Sequence, residues 1–221
     1  MTFRKSLLAE YAEAAGVRDG RVLAAMRETS RARFVPPRYR VAAELDVPIP
    51  IGHEQVTTQP SLVAAMVESL ALVGGEVVLE VGSGYGYQTA LIARLCKFVW
   101  GIEWWADLAS TASANLARAG IANASIVTGD GTLGLPEHGP FDAIVVSAAF
   151  PIVPPPLVQQ LAPGGRLVQP LGHGGDEEVV LFDKRAGELH RVARIASARF
   201  VRLVGAHGFQ PATGPLPDAA C

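Results

Sequence analysis

The sequence predicts an α/β fold: a doubly wound, mostly parallel sheet with an antiparallel C-terminal edge and a small helical segment at the N-terminus. Three observations lead to this prediction. Between residues 77 and 170, short apolar runs alternate with segments of helical period, which is typical of a parallel sheet covered on both faces. A glycine-rich loop follows the first apolar run. Past Gly172 the apolar runs are joined by tight turns, which indicates antiparallel pairing.

The residues before the sheet are predicted to form helices and one loop. Apolar residues fall at helical spacing on either side of Gly16 and Gly20, so two short helices are expected in the first 40 residues. Pro36 ends this pattern. Residues 45–60 contain three prolines and a glycine and are expected to form an extended loop. A helix then begins at Pro60, a residue suited to a first helical turn, and runs to Gly74.

The predicted sheet follows in chain order. Strands are expected at residues 77–81, 98–103, 124–128, 141–147 and 165–170, with helices at 87–95, 106–119 and 155–161. Further strands at 178–183, 189–193 and 198–204 would form the antiparallel edge. We expect one domain over residues 1–207, in which 1–60 form the N-terminal helices and loop and 61–207 form the core. Residues 208–221 are expected to be a disordered tail.

Composition limits the classes of function. The chain is 49% hydrophobic and 18% charged, which excludes a disordered protein. Its net charge of −2 provides no basic field for nucleic acid or an anionic membrane. The longest uncharged apolar stretch, residues 143–158, contains four prolines and is too short to span a bilayer. The N-terminus has no apolar signal-peptide core, and the two cysteines fit neither a disulfide framework nor a metal site. We therefore expect a reduced, cytoplasmic location and no metal.

The glycine loop indicates a nucleotide-type ligand. It runs from Glu80 through Gly82, Ser83 and Gly84 to Gly86, and its glycines let backbone amides approach a ligand closely. The spacing is G-x-G-x-G, not the G-x-G-x-x-G of dinucleotide folds. Glu80 would also repel a pyrophosphate. S-adenosylmethionine fits better, because its amino-acid moiety is cationic.

Acidic residues end the next two predicted strands. Glu103 is placed to accept both ribose hydroxyls, and Trp104 beside it to stack on adenine. Asp130, between Gly129 and Gly131, is placed to accept from the adenine amino group. Each acid alone is more simply a solvated loop carboxylate. Three of them at consecutive strand ends, beside a glycine loop, favour a ligand site.

The chain resembles the protein-L-isoaspartate O-methyltransferase family from about residue 20 to residue 209. The Pro-Ile-Pro-Ile-Gly loop makes the resemblance specific, since the other motifs occur in many methyltransferases. The matching segments are residues 33–36, 48–52 with Gln55, 59–60, 78–88, 129–131, 140–144, 161–167 and 199–201. The resemblance implies a Rossmann-like methyltransferase that uses S-adenosylmethionine to methylate L-isoaspartyl side chains of damaged proteins. It implies cofactor contacts at Glu80, Gly82, Ser83, Gly84, Gly86, Gln88, Glu103, Trp104, Asp130 and Gly131.

Two residues depart from the family pattern at the expected peptide side. Thr58 stands where the family usually has a serine at the methyl-transfer site, so it retains a hydroxyl but adds a methyl group. We expect Thr58 to be the catalytic residue. Arg202 stands where the family usually has a proline. The expected acceptor is a peptide or protein with a free carboxylate, bound by a monomer or weak homodimer.

Three classes of function remain open. The first is repair methylation of isoaspartate. The second is the same chemistry on one dedicated substrate, such as an Asp carboxylate of a peptide natural product, for which Thr58 and Arg202 give the motive. The third is a non-catalytic binding module, which the intact glycine loop and acids disfavour. A carboxylate acceptor needs no base, and His53, the nearest candidate base, is more simply a polar loop residue.

Overall fold

The computed structural model describes residues 6–210 and contains one seven-stranded sheet, one separate hairpin and six helices. The strands are β1 (Ile49–Gly52), β2 (Gln55–Thr57), β3 (Val77–Val81), β4 (Phe98–Glu103), β5 (Ala124–Thr128), β6 (Phe141–Val146), β7 (Leu161–Leu171), β8 (Glu177–Arg185) and β9 (Glu188–Ala198). The helices are α1 (Leu7–Ala14), α2 (Gly20–Glu28), α3 (Pro60–Ser69), α4 (Tyr87–Ala93), α5 (Ala106–Arg118) and α6 (Pro155–Gln160).

The sheet has the strand order β5-β4-β3-β6-β7-β8-β9. Strands β5 to β7 run parallel, while β8 and β9 pair antiparallel at the edge. The predicted fold class is therefore confirmed. From β3 the chain moves outward to β4 and β5 and then returns to place β6 on the other side of β3. The carboxyl ends of β3 and β6 thus form the switch point at which open α/β sheets bind ligands.

Strand β3 shows why the sheet needs cover on both faces. Four of its five residues are buried, as expected for a central parallel strand. Val78 packs into the apolar cluster that includes α1, α2, α3 and α4, whereas Leu79 packs into the cluster on the other face with Leu157 of α6. Helices on both faces remove these side chains from water and hold the strand ends in place.

The structure corrects two predicted elements. Residues 45–60 were expected to form a plain extended loop, but β1 and β2 form a hairpin because Ile49 and Ile51 alternate inward from β1. Its turn is made by His53 and Glu54, both at positive φ, the backbone that a two-residue hairpin turn requires. The strand expected at 198–204 is absent from the sheet. Instead β9 ends at Ala198, and the next residues form only isolated bridges, one of them between Ala149 and Arg202.

The expected disordered tail lies mostly outside the described residues, which end at Gln210. Within them, Phe209 is packed: its amide donates to the Leu203 carbonyl (2.8 Å), and its ring meets Phe150 edge-on with centroids 5.0 Å apart. Among residues 6–210, no helix is long and apolar enough to cross a membrane.

Candidate active site

A single cavity of about 1040 Å³ opens at the carboxyl ends of β3, β4 and β6. Three parts of the chain form its walls: the strand ends with the glycine loop, the β1–β2 hairpin with Thr58, and the segment 199–204. Eight of the ten predicted cofactor residues line it, namely Glu80, Gly82, Ser83, Gly84, Gln88, Glu103, Trp104 and Gly131. This volume is at the upper end of the range for small-molecule sites and leaves room for a nucleoside ligand and part of an acceptor.

Glu80 is the most buried acid of the cavity. It is 0% exposed, and its carboxylate accepts from Gln88 Nε2 (3.0 Å) and from the Thr89 hydroxyl. Burial raises the pKa of Glu80 to about 7, although these two hydrogen bonds oppose the shift. Gln88 Nε2 also donates to Ser147 Oγ (3.0 Å), which connects the ends of β3 and β6.

Glu103 organises the glycine loop. Its Oε2 accepts from the Gly84 amide (2.8 Å), and its Oε1 accepts from the Trp105 amide (3.1 Å). Burial raises the pKa of Glu103, while these amide hydrogen bonds favour the charged form. Each carboxylate oxygen can accept a second hydrogen bond. The geometry is therefore compatible with the predicted role of Glu103 toward ribose hydroxyls.

Gly84 is the point at which hairpin and glycine loop approach most closely. Its φ is +54°, and a Cβ there would lie 3.1 Å from Ile51 Cδ1. A side chain at residue 84 would thus meet both an unfavourable backbone conformation and the buried face of β1. The glycine is required by the close fit between the hairpin and the strand ends.

The structure does not bring two predicted cofactor residues to the cavity wall. Gly86 is the N-cap of α4 and packs against α5, where a Cβ would lie 3.5 Å from Ala112 and from Leu116. Asp130 accepts from the Thr132 amide (2.8 Å) and hydroxyl (2.6 Å) and from the Ala206 amide (2.7 Å). Its carboxylate fixes the turn that follows β5, and its contact with an adenine amino group stays a prediction.

Thr58 lies in the cavity wall, and a buried arginine holds its backbone. Arg31 is 1% exposed; its guanidinium donates to the Thr57 hydroxyl (2.6 Å), to the carbonyls of Leu45 (3.1 Å) and Val47 (2.8 Å), and weakly to that of Thr58 (3.4 Å). Burial lowers the pKa of Arg31 to about 10. No carboxylate of the described residues lies within 4.0 Å of it.

The hairpin tip is attached to the first turn of α5. The His53 ring stacks on Trp105 with centroids 4.0 Å apart and planes 7° apart. His53 Nε2 lies 2.9 Å from both oxygens of Asp107, and this hydrogen bond lowers the pKa of Asp107. The interpretation of His53 as a structural loop residue therefore agrees with its contacts. Its ring is committed to Trp105 and Asp107.

Several site residues were missed from the sequence. Arg31 lies in a polar stretch that resembles any exposed turn, so no sequence signal marks it as buried. Ser147 could have been found by placing β6 next to β3, because the switch-point rule assigns ligands to that edge. Arg199 and the Gly174–Gly175 turn reach the cavity only through the tertiary fold.

Two buried side-chain atoms beside the cavity lack a hydrogen-bond partner by distance and angle, although Ser83 lies close enough to Glu80 to favour its charged form. Ser83 Oγ and Gln88 Oε1 have no hydrogen-bond partner among the described residues, although both side chains line the cavity. A buried polar group without a partner is unfavourable unless something else supplies one.

No candidate metal site is found in the part of the chain that the structure describes, since residues 6–210 contain no cluster of three His, Cys, Asp or Glu side chains.

Comparison with known proteins places the chain in a family. The model of the protein-L-isoaspartate(D-aspartate) O-methyltransferase family matches residues 2–208. The chain is 50% identical over 198 residues to the protein-L-isoaspartate O-methyltransferase of Anaeromyxobacter dehalogenans, covering 89% of this chain and 95% of that one. It is 46% identical over 200 residues to the Myxococcus xanthus protein of the same name, with 89% and 94% covered.

Two solved structures share the whole architecture. A protein-L-isoaspartate O-methyltransferase superimposes with a TM-score of 0.79 at 29% identity, over 91% of this chain and 66% of that longer chain. A Plasmodium falciparum structure described as a protein-L-isoaspartate O-methyltransferase, in complex with S-adenosyl-L-homocysteine, gives a TM-score of 0.75 at 25% identity, with 89% and 96% covered. The family resemblance expected from the sequence is confirmed: the chain belongs to the protein-L-isoaspartate(D-aspartate) O-methyltransferase family.

Proposed function

We propose that this chain is an S-adenosylmethionine-dependent carboxyl O-methyltransferase that acts on L-isoaspartyl residues of damaged proteins and peptides. One observation carries the proposal for this chain itself. A single cavity joins the strand-end acids and glycine loop to Thr58 and to a wall of extended backbone, so cofactor and acceptor share one space. Family membership supplies the identity of the acceptor.

The cofactor provides a sulfonium methyl group: the acceptor carboxylate oxygen forms a bond to the methyl carbon as the carbon–sulfur bond breaks, leaving a methyl ester and S-adenosylhomocysteine. We propose that Glu80, Gly82, Ser83, Gly84, Gln88, Glu103, Trp104 and Gly131 hold the cofactor. Glu80 faces the cationic amino-acid moiety, Glu103 the ribose hydroxyls, and Trp104 the adenine ring.

Thr58 is proposed to orient the acceptor carboxylate. That carboxylate is already ionised at neutral pH, so the chain needs to align it and remove its water but not to deprotonate it. A single hydroxyl hydrogen bond orients one oxygen without the full pairing that would reduce its nucleophilicity. The hydrogen bond of Arg31 to Thr57 fixes the backbone from which the Thr58 side chain projects.

A carboxylate acceptor makes fewer demands on the chain than a protonated amine or a phenol. Those acceptors require a group that removes a proton. His53 is the histidine among the described cavity residues, and its ring is stacked on Trp105 and bonded to Asp107. These contacts fix the ring at the hairpin tip, and a carboxylate acceptor makes no use of it as a base.

The proposal is tested with matched peptides. The enzyme is mixed with S-adenosylmethionine carrying a radiolabelled methyl group and with peptides that contain L-isoaspartate or L-aspartate at one position. We expect base-labile label, the signature of a methyl ester, on the isoaspartyl peptide alone. Label on neither peptide, with cofactor binding intact by calorimetry, would contradict repair and favour the dedicated substrate that Thr58 and Arg202 suggest.

We also propose that the enzyme works as a monomer or weak homodimer in the cytoplasm. The proposed location rests on cysteine chemistry. Cys96 is a buried thiol whose pKa burial raises to about 12, so it is an inert core residue, as expected where no disulfides are formed. Sedimentation analysis of the full chain gives the oligomeric state.

A further inference from the structure

We propose that Arg199 and Arg202 form a second, carboxylate-binding subsite at the mouth of the cavity, so that the enzyme prefers isoaspartyl residues next to an acidic residue. The inference rests on the proposed function, because it concerns how the same cavity selects its peptide. It concerns a residue, Arg202, at which this chain departs from the family pattern.

The backbone fixes both arginines on the side of the cavity away from Glu103. Ala149, which follows β6, donates its amide to the Val201 carbonyl (2.7 Å) and accepts from the Leu203 amide (2.8 Å). Since β6 and β4 flank β3 on opposite sides, the segment 199–204 lies on the β6 side of the cavity and Glu103 on the β4 side. Both arginines are exposed and both line the cavity.

Each of the two arginine side chains contacts the turn formed by Gly174 and Gly175. The Arg202 guanidinium carbon lies 5.0 Å from the centroid of the Phe209 ring. A Cβ at Gly174 would lie 3.3 Å from Arg202 Nε, so the Arg202 side chain packs closely against the glycine backbone. Arg199 Nε donates to the Gly175 carbonyl (3.4 Å). Both arginines are thus held against the Gly174–Gly175 turn, which leaves the space around it open.

Neither guanidinium is neutralised within residues 6–210. No carboxylate oxygen of the described residues lies within 4.0 Å of a nitrogen of Arg199 or Arg202. Two acids lie on the adjoining chain: Asp176 is exposed, and Glu177 is buried with its Oε2 accepting from the Phe200 amide (2.8 Å). The third nearby acid on the cavity rim, Glu54, lies on the opposite hairpin.

The ligand of these arginines is a carboxylate other than the reacting one. Full pairing with a guanidinium would withdraw charge from the nucleophilic oxygen of the reacting carboxylate. We assign the orientation of that carboxylate to Thr58. An acidic side chain beside the isoaspartate satisfies the arginines and leaves the reacting carboxylate free. Because both arginines are exposed, we expect a preference of about three- to fivefold in kcat/KM, the range of exposed ion pairs.

The test uses isoaspartyl peptides that are identical except for Glu, Gln or Lys at one neighbouring position, with one set on each side of the isoaspartate. We expect kcat/KM to decrease from Glu to Gln to Lys in at least one set. The Glu:Gln ratio of kcat/KM should approach one in about 0.5 M NaCl, because salt screens exposed charges.

Variants of Arg202 test the same ratio. Arg202→Gln should lower it toward one, whereas Arg202→Lys should retain part of the preference for Glu. Arg27→Gln, an exposed arginine of α2 remote from the cavity, is the charge-matched control and should leave the ratio unchanged.

Peptide binding to the S-adenosylhomocysteine-loaded protein, followed by fluorescence anisotropy of the labelled peptides, separates this inference from the proposed function. Absence of methylation with tighter binding of the Glu peptide contradicts the methylation proposal and supports the subsite. Equal affinity and equal kcat/KM for all peptides overturn the subsite. An equal loss on every peptide in Arg202→Gln also overturns it, since the arginine would then hold the reacting carboxylate.

Discussion

Glu80 and Glu103 end neighbouring strands, yet their surroundings give them different chemistry. Glu80 receives side-chain donors and is fully buried, whereas Glu103 receives two backbone amides of the loops that it organises. The first is therefore a group that titrates near neutral pH. The second is a hydrogen-bond acceptor that fixes the positions of the glycine loop and of Trp105 at the cavity wall.

Glu80 should make stability depend on pH in the absence of cofactor. Its folded pKa of about 7 is above that of an exposed carboxyl, so its contribution is fully present below about pH 4.5 and is lost as pH rises through 7. We expect Glu80→Gln, which imitates the protonated form, to unfold like the wild type at about pH 4 and to exceed it by up to about 3 kcal/mol at pH 8. Urea unfolding of both proteins across this range gives the difference. A difference independent of pH would show that Glu80 is ionised throughout.

Thr58 should affect turnover more than cofactor affinity. Thr58→Val retains the shape and removes the hydroxyl, so we expect kcat/KM for an isoaspartyl peptide to fall about tenfold or more. Thr58→Ser keeps the hydroxyl and removes the crowding methyl, and its activity should equal or exceed that of the wild type. Steady-state kinetics, with S-adenosylhomocysteine affinity measured in parallel, distinguishes the two effects. Full activity of the valine variant would remove the hydroxyl from the mechanism.

Among the elements, the β1–β2 hairpin depends on contacts outside itself. Two strands of four and three residues do not form a stable hairpin alone. Ile51 packs against Gly84, and His53 stacks on Trp105 at the start of α5. Arg31 donates a hydrogen bond to Thr57 at the end of β2. The hairpin thus depends on the same loop that forms the cofactor wall, which couples the acceptor side of the cavity to the cofactor side.

Removal of Arg31 should loosen this element. Arg31→Met fills a similar volume but leaves the Leu45 and Val47 carbonyls and the Thr57 hydroxyl without their donor. We expect a loss of about 2–4 kcal/mol in unfolding free energy. kcat should fall by a larger factor than S-adenosylhomocysteine affinity, because Thr58 is displaced while the glycine loop is not. Denaturant titration and kinetics measure both, and partial recovery of kcat in Arg31→Lys would show that the donated hydrogen bonds matter.

The glycine loop should not accept a side chain at residue 84. Gly84→Val combines positive φ with contact to Ile51, so we expect a folded protein with no measurable S-adenosylhomocysteine binding by calorimetry. Gly120→Val is the matched control: its φ is also positive, but a Cβ there meets nothing within 4 Å. This control should lose stability and keep its affinity. Normal binding by the Gly84 variant would make the loop an ordinary turn.

At the scale of the whole molecule, the cavity is built from three regions that are distant in sequence. Ligand binding should therefore stabilise the entire fold. S-adenosylhomocysteine at about 100 times its Kd should add about 2.7 kcal/mol to the unfolding free energy. In Glu103→Ala we expect affinity to fall about 30- to 100-fold, so the same ligand concentration should give little stabilisation. Thermal melts with and without ligand, each referred to its own apo protein, measure this; an undiminished shift would remove Glu103 from the site.

The sequence was sufficient for the sheet and the cofactor wall because both depend on local patterns. Apolar runs marked β3, β4 and β6, and Glu80, Gly84 and Glu103 adjoin those runs directly. It was insufficient where tertiary contacts decide. Asp130 has the local pattern of a ligand residue, and no local pattern indicates its hydrogen bond from the Ala206 amide, 76 positions away. Arg31 has the pattern of an exposed turn, but the hairpin buries it. The segment 199–204 has the residue pattern of a strand, but its backbone amides and carbonyls form hydrogen bonds with Glu177 and Ala149 instead of with a neighbouring strand.

The stacked rings of His53 and Trp105 give the hairpin an optical consequence. An imidazole in contact with an indole quenches its emission, so Trp105 should be dim while the hairpin is closed and bright when the hairpin lifts. Trp100 stacks on His138 with centroids 3.6 Å apart and would contribute a similar signal, which Trp100→Phe removes. In that variant, measured without ligand so that the signal of Trp104 stays constant, an increase in fluorescence would report separation of His53 from Trp105 without a label and independently of methyl transfer.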